Sequence, residues 1–200
     1  MTATLDALAV EASTCTRCAL AEGRTQVVFG VGAPEARFVL VGEGPGVEED
    51  RLGEPFVGRS GQLLDRLLLE EMGRDRSACY VANVVKCRPP GNRDPRPDEI
   101  AACRPYLEAQ LDLIDPAVVV TLGNFAARLL LQTKEGITKL RGQAYPYRNG
   151  VLIPTVHPAF VLRGGATPMA HMRADLVRAA QALADAGAGA GVGGGSGAAP

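Results

Sequence analysis

The sequence of 200 residues lacks several features that would place it in a specialised class of protein. No stretch reaches the roughly 18 consecutive apolar residues that span a bilayer, so no membrane partner is expected. The first residues, MTATLDALAVEAS, carry acids and no basic segment, and we therefore expect no signal peptide. A chain of this length forms one domain without covalent cross-links. We expect a cytoplasmic protein with reduced thiols.

Cysteine is scarce, with five residues in the chain, and its spacing is informative. Cys15 and Cys18 form a CxxC pair, and Cys87 and Cys103, with fifteen residues between them, bring the number of thiolates to four. Four thiolates saturate a zinc ion or an iron–sulfur cluster, and the wide second spacing mildly favours the cluster. Four unrelated buried thiols are the alternative. Cys79 lies in an apolar strand pattern and is expected to be an inert core residue.

The formal net charge of −1 conceals an uneven distribution along the chain. Residues 43–54 contain five acids and one base, whereas residues 134–178 contain seven bases and two acids. The basic segment would suit a polyanion if its side chains shared one face of the protein. A solvated surface with scattered arginines is the alternative.

Apolar strand patterns alternate with helix patterns along the chain. Strands are predicted at 37–43, 78–85 and 117–123, and helices near 4–12, 60–72, 97–114, 124–131 and 169–186. This alternation predicts a three-layer α/β/α sandwich on a largely parallel sheet. Asn149-Gly150, between two β-rich runs, predicts a hairpin. Residues 1–186 are expected to form the domain, and the glycine- and alanine-rich residues 187–200 a disordered tail.

Glycines and polar residues follow the predicted strands. Parallel sheets bind ligands beyond the carboxyl ends of their strands, which favours one site built from GEGPG (residues 42–46), Asn83, Gly123 and His157. The glycine spacing is not GxGxxG, so a dinucleotide site is disfavoured. Glu43 stands between two glycines of this loop and needs a functional explanation. His157 ends a strand, and we expect Pro158 to keep the chain from continuing into a helix.

Taken together, the motifs resemble those of the family 4 uracil-DNA glycosylases, which are iron–sulfur enzymes. The resemblance rests on the CxxC pair, GEGPG, PFVGRSGQLLDRLL, YVANVVKCRPPGNRDPRPDE, ITKLRG and HPAFVLR, in that order, and covers most of residues 10–185. It implies a central, mostly parallel four-stranded sheet and hydrolysis of the N-glycosidic bond of uracil in single- or double-stranded DNA, which starts base-excision repair. It also implies a 4Fe–4S cluster held by Cys15, Cys18, Cys87 and Cys103.

The resemblance assigns roles to individual side chains. Phe56 would stack on a flipped base, Asn83 would pair with O4 and N3–H of uracil, and His157 would stabilise the departing uracil anion. The implied uracil-binding residues are Glu43, Gly44, Pro45, Phe56, Asn83 and His157. The residues implied to contact DNA are Phe160, Leu162, Arg163, Arg88 and Arg93.

The first loop departs from the pattern of better-known uracil glycosylases. Those enzymes carry an aspartate and a tyrosine where this chain has Gly44 and Gly46, so neither side chain is available here. Glu43, the nearest carboxylate, is the candidate for positioning water or supporting a cationic sugar, and is expected to be catalytic together with His157. Glu49 is the candidate for excluding thymine.

Three other functions compete with this interpretation. A relative that traps its product covalently uses a histidine in a basic insertion, and no histidine lies between Lys86 and Cys103. A non-catalytic, cluster-bearing DNA-binding module would not need the catalytic side chains, and a zinc-stapled nucleotide-binding protein would be colourless. We expect a monomer that acts at the nucleoid, with downstream repair enzymes as possible partners.

Overall fold

The computed structural model describes residues 4–190 of the chain. Within this range six strands form one mixed sheet: β1 (Val31–Gly32), β2 (Phe38–Gly42), β3 (Tyr80–Asn83), β4 (Val118–Leu122), β5 (Tyr145–Tyr147) and β6 (Gly150–Thr155). The strand order is β1-β3-β2-β4-β6-β5. The four central strands are parallel, and β1 and β5 pair antiparallel at the edges. The four-stranded sheet expected from the sequence is therefore the centre of a six-stranded one.

Helices cover both faces of the sheet. In the described part they are α1 (Leu5–Ser13), α2 (Leu20–Gly23), α3 (Val47–Leu52), α4 (Arg59–Met72), α5 (Pro97–Ile114), α6 (Asn124–Leu131), α7 (Ile137–Leu140), α8 (Pro158–Gly164) and α9 (Ala166–Ala190). Every predicted helix is present. Helix α9 extends four residues into the stretch predicted to be a tail, and the rest of that tail lies outside the described residues. None of the described helices combines the length and the apolar character that crossing a membrane requires.

Two hydrophobic cores lie on opposite faces of the sheet. Because side chains alternate along a strand, Phe38 and Leu40 of β2 join a core with α4, α8 and α9. Val39 and Val41 of the same strand join a second core with α5 and α6. The predicted three-layer α/β/α sandwich is confirmed.

The predicted hairpin is confirmed, but its turn is displaced by one residue. Tyr147 pairs with Gly150, so the turn consists of Arg148 and Asn149. Arg148 takes the left-handed conformation, with φ of 50°. Gly150 instead belongs to β6, where a Cβ would lie 2.1 Å from the carbonyl oxygen of Ala117. The glycine is needed for close packing against the chain before β4.

The basic segment at 134–178 does not form the free cationic face that its composition suggested. Four of its seven bases are paired with carboxylates: Lys139 with Glu135, Arg141 with Asp175, Arg148 with Asp112, and Arg173 with Glu70 and Glu71. The buried carboxylate of Asp175 also accepts a hydrogen bond from Thr155 Oγ1 at 2.7 Å. Through Asp175, α9 is thus attached both to Arg141 at the end of α7 and to Thr155 at the end of β6.

The carboxyl ends of the parallel strands meet at one edge of the sheet. Gly42 of β2 lies beside Asn83 of β3, and Leu122 of β4 lies beside Thr155 of β6. The backbone N–H of Val85 donates to Glu43 O at 3.0 Å, which carries the pairing beyond the strands. The loops that follow all four central strands therefore converge on this edge, as parallel sheets of this kind dictate.

Candidate active site and cysteine cradle

The four cysteines singled out by spacing line one small cavity of about 20 Å³. Cys15 and Cys18 come from the loop between α1 and α2, Cys87 from the loop after β3, and Cys103 from within α5. We call this cavity the cysteine cradle. Cys79 is buried in the core on the other face of the sheet, as expected of an inert residue. All five thiols are free.

Hydrogen-bond donors point at the sulfur atoms of the cradle. The backbone N–H of Lys86 donates to Cys103 Sγ at 3.2 Å, and Arg24 Nη1 donates to Cys87 Sγ at 3.5 Å and to Cys15 O at 2.6 Å. Burial raises the pKa of the Cys87 thiol to about 11, against the opposing effect of Arg24. A metal centre binds the thiolate and releases its proton, and N–H donors then stabilise the sulfur charge.

Lys86 connects the cradle to the strand edge. Its side chain is fully buried, and its Nζ donates to Asn83 O at 2.8 Å and to Gln110 Oε1 at 2.5 Å. Burial lowers the pKa of Lys86 to about 8. A buried lysine is retained only where its donors are satisfied, so this side chain fixes the backbone between Asn83 and Cys87.

A cleft of about 600 Å³ opens at the strand edge. Every residue that the resemblance assigns to uracil lines it: Glu43, Gly44, Pro45, Phe56, Asn83 and His157. Gly44 is needed for close approach, since a Cβ there would lie 2.7 Å from the Val85 side chain. The cleft is separate from the cysteine cradle, and the segment 83–87 runs between the two.

Asn83 lies at the floor of the cleft with an unsatisfied oxygen. Its Oδ1 is buried and has no hydrogen-bond partner among the described residues. A Cβ at Gly42 would lie 2.4 Å from this oxygen and 2.5 Å from the ring of Phe56. Glycine at position 42 therefore makes room for both side chains. A buried amide without a partner costs about 1–3 kcal/mol, so the site is built for a ligand that supplies one.

Phe56 and His157 form the aromatic walls of the cleft. Their ring centroids are 5.9 Å apart with an interplanar angle of 33°. Phe56 is buried and has a positive φ of 56°, which only a few per cent of non-glycine residues adopt. An aromatic face held beside an amide and an imidazole is suited to a flat heterocycle.

His157 is the N-cap of α8, and this fixes its tautomer. Its Nδ1 accepts a hydrogen bond from Ala159 N at 3.1 Å, so the ring proton lies on Nε2. Burial, with a smaller contribution from the nearby Arg163, lowers the pKa of His157 to about 4. The imidazole is therefore neutral near pH 7 and can donate one hydrogen bond from Nε2.

The expectation that Pro158 keeps the chain from continuing into a helix was wrong. Pro158 occupies the first position of α8, where its fixed φ favours a helix.

Glu43 faces the cleft from the loop after β2. Burial raises the pKa of its carboxyl group to about 7, and the charge of Asp94 contributes in the same direction. A carboxyl group with a pKa in this range can both accept and release a proton near neutral pH. This geometry and protonation behaviour suit a group that handles water.

Glu49, the candidate for excluding thymine, lines the cleft and contacts the backbone of two loops. Its Oε1 accepts from Val57 N and Gly58 N, both at 3.0 Å, and its Oε2 accepts from Gly46 N at 3.1 Å. Both carboxylate oxygens are thus committed to the backbone. Glu49 joins the loop after β2 to the loop that carries Phe56, which favours a structural function over contact with a thymine methyl group.

Helix α8 presents apolar side chains at the rim of the cleft. Phe160 is 50% exposed and Leu162 is 43% exposed, whereas Val161 between them is buried. Arg163 also lines the cleft. Large apolar side chains held in water by a short, well-anchored helix favour contact with another molecule.

The two arginines expected in the loop before α5 differ in their surroundings. Arg88 Nε donates to Asn92 Oδ1 at 2.7 Å, and this contact is exposed. Arg93 instead donates from both terminal nitrogens to the buried carboxylate of Glu99, at 2.9 and 2.7 Å. The Arg93 guanidinium lowers the pKa of Glu99 to about 2. Glu99 also accepts from Arg96 N at 2.7 Å, at the start of α5.

Sequence reasoning missed several residues that support these sites. Arg24 and Lys86 were overlooked because their partners are distant in sequence and no pattern marks them. Arg59, which lines the cleft at the start of α4, carried one available clue: it lies within PFVGRSGQLLDRLL.

Comparison with known proteins agrees with the geometry. The family model of the uracil DNA glycosylase superfamily matches residues 29–183. A type-4 uracil-DNA glycosylase of Thermotoga maritima is 50% identical over 151 residues, covering 74% of this chain and 78% of the relative. One from Sulfurisphaera tokodaii is 42% identical over 166 residues, covering 79% and 76%.

More distant members also match. A type-5 uracil-DNA glycosylase of Thermus thermophilus is 34% identical over 141 residues, covering 64% of this chain and 62% of the relative. The type-4 relatives thus match both more closely and over more of the chain. With the family model covering most of its length, this chain belongs to the uracil-DNA glycosylase superfamily and, within it, to the type-4 group.

Proposed function

We propose that the protein flips uracil out of DNA and hydrolyses its N-glycosidic bond, leaving an abasic site and initiating base-excision repair. The observation that carries the proposal is the buried, unpaired Oδ1 of Asn83 in a cleft walled by Phe56 and His157. A base inside a duplex cannot reach such a cleft, so it must leave the stack, at a cost of a few kcal/mol.

Asn83 reads the base by hydrogen bonding. N3–H of uracil donates to Oδ1, and O4 of uracil accepts from Nδ2. Cytosine presents an unprotonated N3 and an amino group at these positions, so both contacts become unfavourable. Leaving the buried amide unsatisfied costs about 1–3 kcal/mol and adds to the repulsion. Phe56 stacks on the base and favours any flat ring, so discrimination rests on the amide.

His157 stabilises the leaving group. When the bond between C1′ and N1 breaks, the electron pair stays with uracil, and the negative charge spreads to O2. Nε2–H of His157 donates to this oxygen, and the imidazole stays neutral because its pKa is about 4. One preorganised donor of this kind is worth roughly 3 kcal/mol in the transition state.

Glu43 handles the attacking water. As a carboxylate it accepts a proton from the water whose oxygen bonds to C1′, and its negative charge supports the cationic sugar that precedes that bond. The uracil anion takes its proton from solvent after departure. This role requires the ionised form, which predominates above a pH of about 7.

The rim of the cleft binds the DNA around the flipped nucleotide. Phe160 and Leu162 enter the minor groove and fill the space that the base leaves, and Arg163 contacts the backbone. Arg88 is half-buried, but its contact with Asn92 is exposed, so its guanidinium is available to phosphate. Arg93, committed to Glu99, contributes mainly by holding that loop.

We propose a 4Fe–4S cluster on Cys15, Cys18, Cys87 and Cys103. When bound, the cluster cross-links three segments of the chain and supplies no group to the cleft. Two observations support this fit: four free thiols line one cavity, and N–H groups point at two of the sulfurs.

The proposal includes the setting of the reaction. Cradle and cleft are both formed by one chain, which supports activity as a monomer. The abasic product must pass to downstream repair enzymes that cut the DNA backbone, at the nucleoid in the cytoplasm.

The test uses brown, cluster-loaded protein and oligonucleotides with U·G, U·A, C·G and T·G pairs, followed by alkali cleavage of abasic sites. We expect strand cleavage at uracil alone. His157→Ala should lower the single-turnover rate about 100-fold, whereas His171→Ala, at the other histidine of the chain, should not change it. Loaded protein that binds uracil-containing DNA without releasing uracil would instead identify a non-catalytic binding module.

A further inference from the structure

The stacking ring of Phe56 is carried by a backbone that its own sequence does not favour. Its φ of 56° lies in the left-handed region, and a phenylalanine there is strained. The first turn of α4 crosses close to this residue, since a Cβ at Gly61 would lie 1.7 Å from Phe56 O. Such a conformation persists only where surrounding contacts hold it.

Arg76 supplies contacts of this kind. It lies in a short helical turn, Arg76–Ala78, just before β3. Its Nη1 donates to Phe56 O at 2.8 Å, and its Nη2 donates to Pro55 O. Nη1 also lies 3.3 Å from Asp65 Oδ1 of α4, which orients the guanidinium. A planar fork of donors is suited to gripping two successive carbonyl groups.

The other side of the same loop is held by Glu49. Its Oε1 accepts from the backbone N–H groups of Val57 and Gly58. Arg76 therefore grips the carbonyls of residues 55 and 56, while Glu49 grips the N–H groups of residues 57 and 58. Two side chains of opposite charge fix four consecutive residues from two directions.

We propose that Arg76 is a positioning residue for base recognition, which holds Phe56 in the left-handed conformation that directs its ring into the cleft. The proposal rests on the proposed function, because it assumes that Phe56 stacks on the flipped base. Arg76 does not line the cleft and acts only through the backbone of Pro55 and Phe56. Without it, the ring would leave the stacking position for part of the time, and flipped uracil would be captured less often.

A double-mutant cycle tests this route. Loss of two charge-assisted hydrogen bonds predicts that Arg76→Gln lowers kcat/KM on a U·A duplex roughly 30-fold. In the Phe56→Ala background the same change should lower kcat/KM less than about threefold, because the ring it positions is gone. Equal losses in the two backgrounds would overturn the proposal, since Arg76 would then act independently of the ring.

Binding provides a readout that does not depend on turnover. A duplex with 2′-fluoro-2′-deoxyuridine, whose glycosidic bond resists cleavage, should bind Arg76→Gln about tenfold more weakly than wild type, with no such loss for an undamaged duplex. Arg66→Gln, which removes an exposed arginine of α4 paired with Glu70, is the matched control and should bind like wild type.

Folding is checked by visible absorption and thermal unfolding. If Arg76→Gln does not retain both, the same cycle with Arg76→Lys, which keeps the charge and loses the fork, decides the matter. Wild-type protein that releases no uracil would refute the proposed function. If wild-type protein releases uracil but the effects of the two substitutions are additive, only the proposed role of Arg76 is refuted.

Discussion

The cysteine cradle and the cleft lie at the two ends of segment 83–87 and are built in opposite ways. Sulfur atoms in the cradle receive N–H donors and are ready for a group that cross-links the chain. Functional atoms in the cleft lack partners or are held away from their preferred states: Asn83 Oδ1 is unpaired, Phe56 is strained, and burial raises the pKa of Glu43 to about 7.

This difference separates stability from function. A loaded cradle adds stability, because thiolates bound to a metal centre hold distant segments together. The cleft lowers stability in the free protein, since each unsatisfied or strained group costs free energy that only the bound base returns. Substitutions in the cradle should therefore damage structure, and substitutions in the cleft should damage rate while sparing or raising stability.

The largest effect is expected for Cys87→Ala. Removing one of four thiolates should abolish cluster retention and lower the free energy of unfolding by at least about 3 kcal/mol, with loss of DNA binding as a consequence. Iron content, visible absorption and urea unfolding measure these changes. Cys79→Ala is the control: it removes a buried thiol outside the cradle, and should keep the colour at a cost of about 1 kcal/mol. A brown, fully stable Cys87→Ala protein would show that the cradle does not hold the cluster.

In contrast to Cys87→Ala, Glu43→Gln should lower the reaction rate and leave the cluster and the fold intact. Its single-turnover rate should fall about 100-fold or more, with binding of uracil-containing DNA nearly intact. Wild-type activity should rise with pH through about 7, as the carboxyl group ionises, and the variant should lose this rise. Unchanged single-turnover cleavage would remove Glu43 from the mechanism.

The same substitution should alter stability in a pH-dependent way. The folded-state pKa of Glu43 is raised from 4.5 to about 7, so the native protein binds the proton more tightly than the unfolded chain. That stabilisation is complete below pH 4.5 and is lost as the pH rises through about 7. Above that pH, Glu43→Gln should be more stable than wild type by about 1 kcal/mol, after allowance for solvent screening of a partly exposed group. Urea unfolding at several pH values measures the difference.

The sequence predicted the gathering of the cleft residues for a physical reason. Strand patterns placed Glu43, Asn83 and His157 after three different strands, and parallel strands bring their carboxyl ends to one edge. The edge strand β5 was predicted as part of the hairpin, whereas β1 was not predicted, because a strand of two residues carries little periodicity.

Interactions between distant side chains could not be predicted. The pairing of Arg173 with Glu70 spans 103 positions, and that of Arg93 with Glu99 depends on how the loop folds back. From composition alone, neither Arg173 nor Arg93 was expected to pair with a carboxylate. Pro158 shows a local ambiguity instead: a proline after a strand fits either a break or the first position of a helix, and the His157 cap decides for the helix.

A moderate effect, confined to duplex substrates, is expected at the rim of the cleft. Phe160→Ala should lower uracil excision from a U·A duplex about tenfold, because the ring no longer fills the gap left by the flipped base. Single-stranded substrate has no such gap, so its excision should be unchanged. Val177→Ala, on α9 and equally exposed at 50%, is the matched control. Equal losses on both substrates would place Phe160 in the base-binding part of the cleft.

The smallest effects on uracil excision are expected in the loop before α5, where Arg88 and Arg93 divide two tasks. Arg88→Ala should reduce the salt dependence of DNA binding by about one phosphate contact and leave stability unchanged. Arg93→Ala should instead lower the melting temperature at neutral pH, because the buried carboxylate of Glu99 loses its partner.

Acid titration separates the two arginines further. The folded-state pKa of Glu99 is lowered from 4.5 to about 2, so its ion pair stabilises the protein above pH 4.5 and is lost as the pH falls towards about 2. The difference in melting temperature between wild type and Arg93→Ala should therefore shrink over that range, while Arg88→Ala should follow wild type throughout. A reduced salt dependence in Arg93→Ala with an unchanged melting temperature would instead return Arg93 to the DNA-facing surface, and the loop would then belong wholly to the cleft.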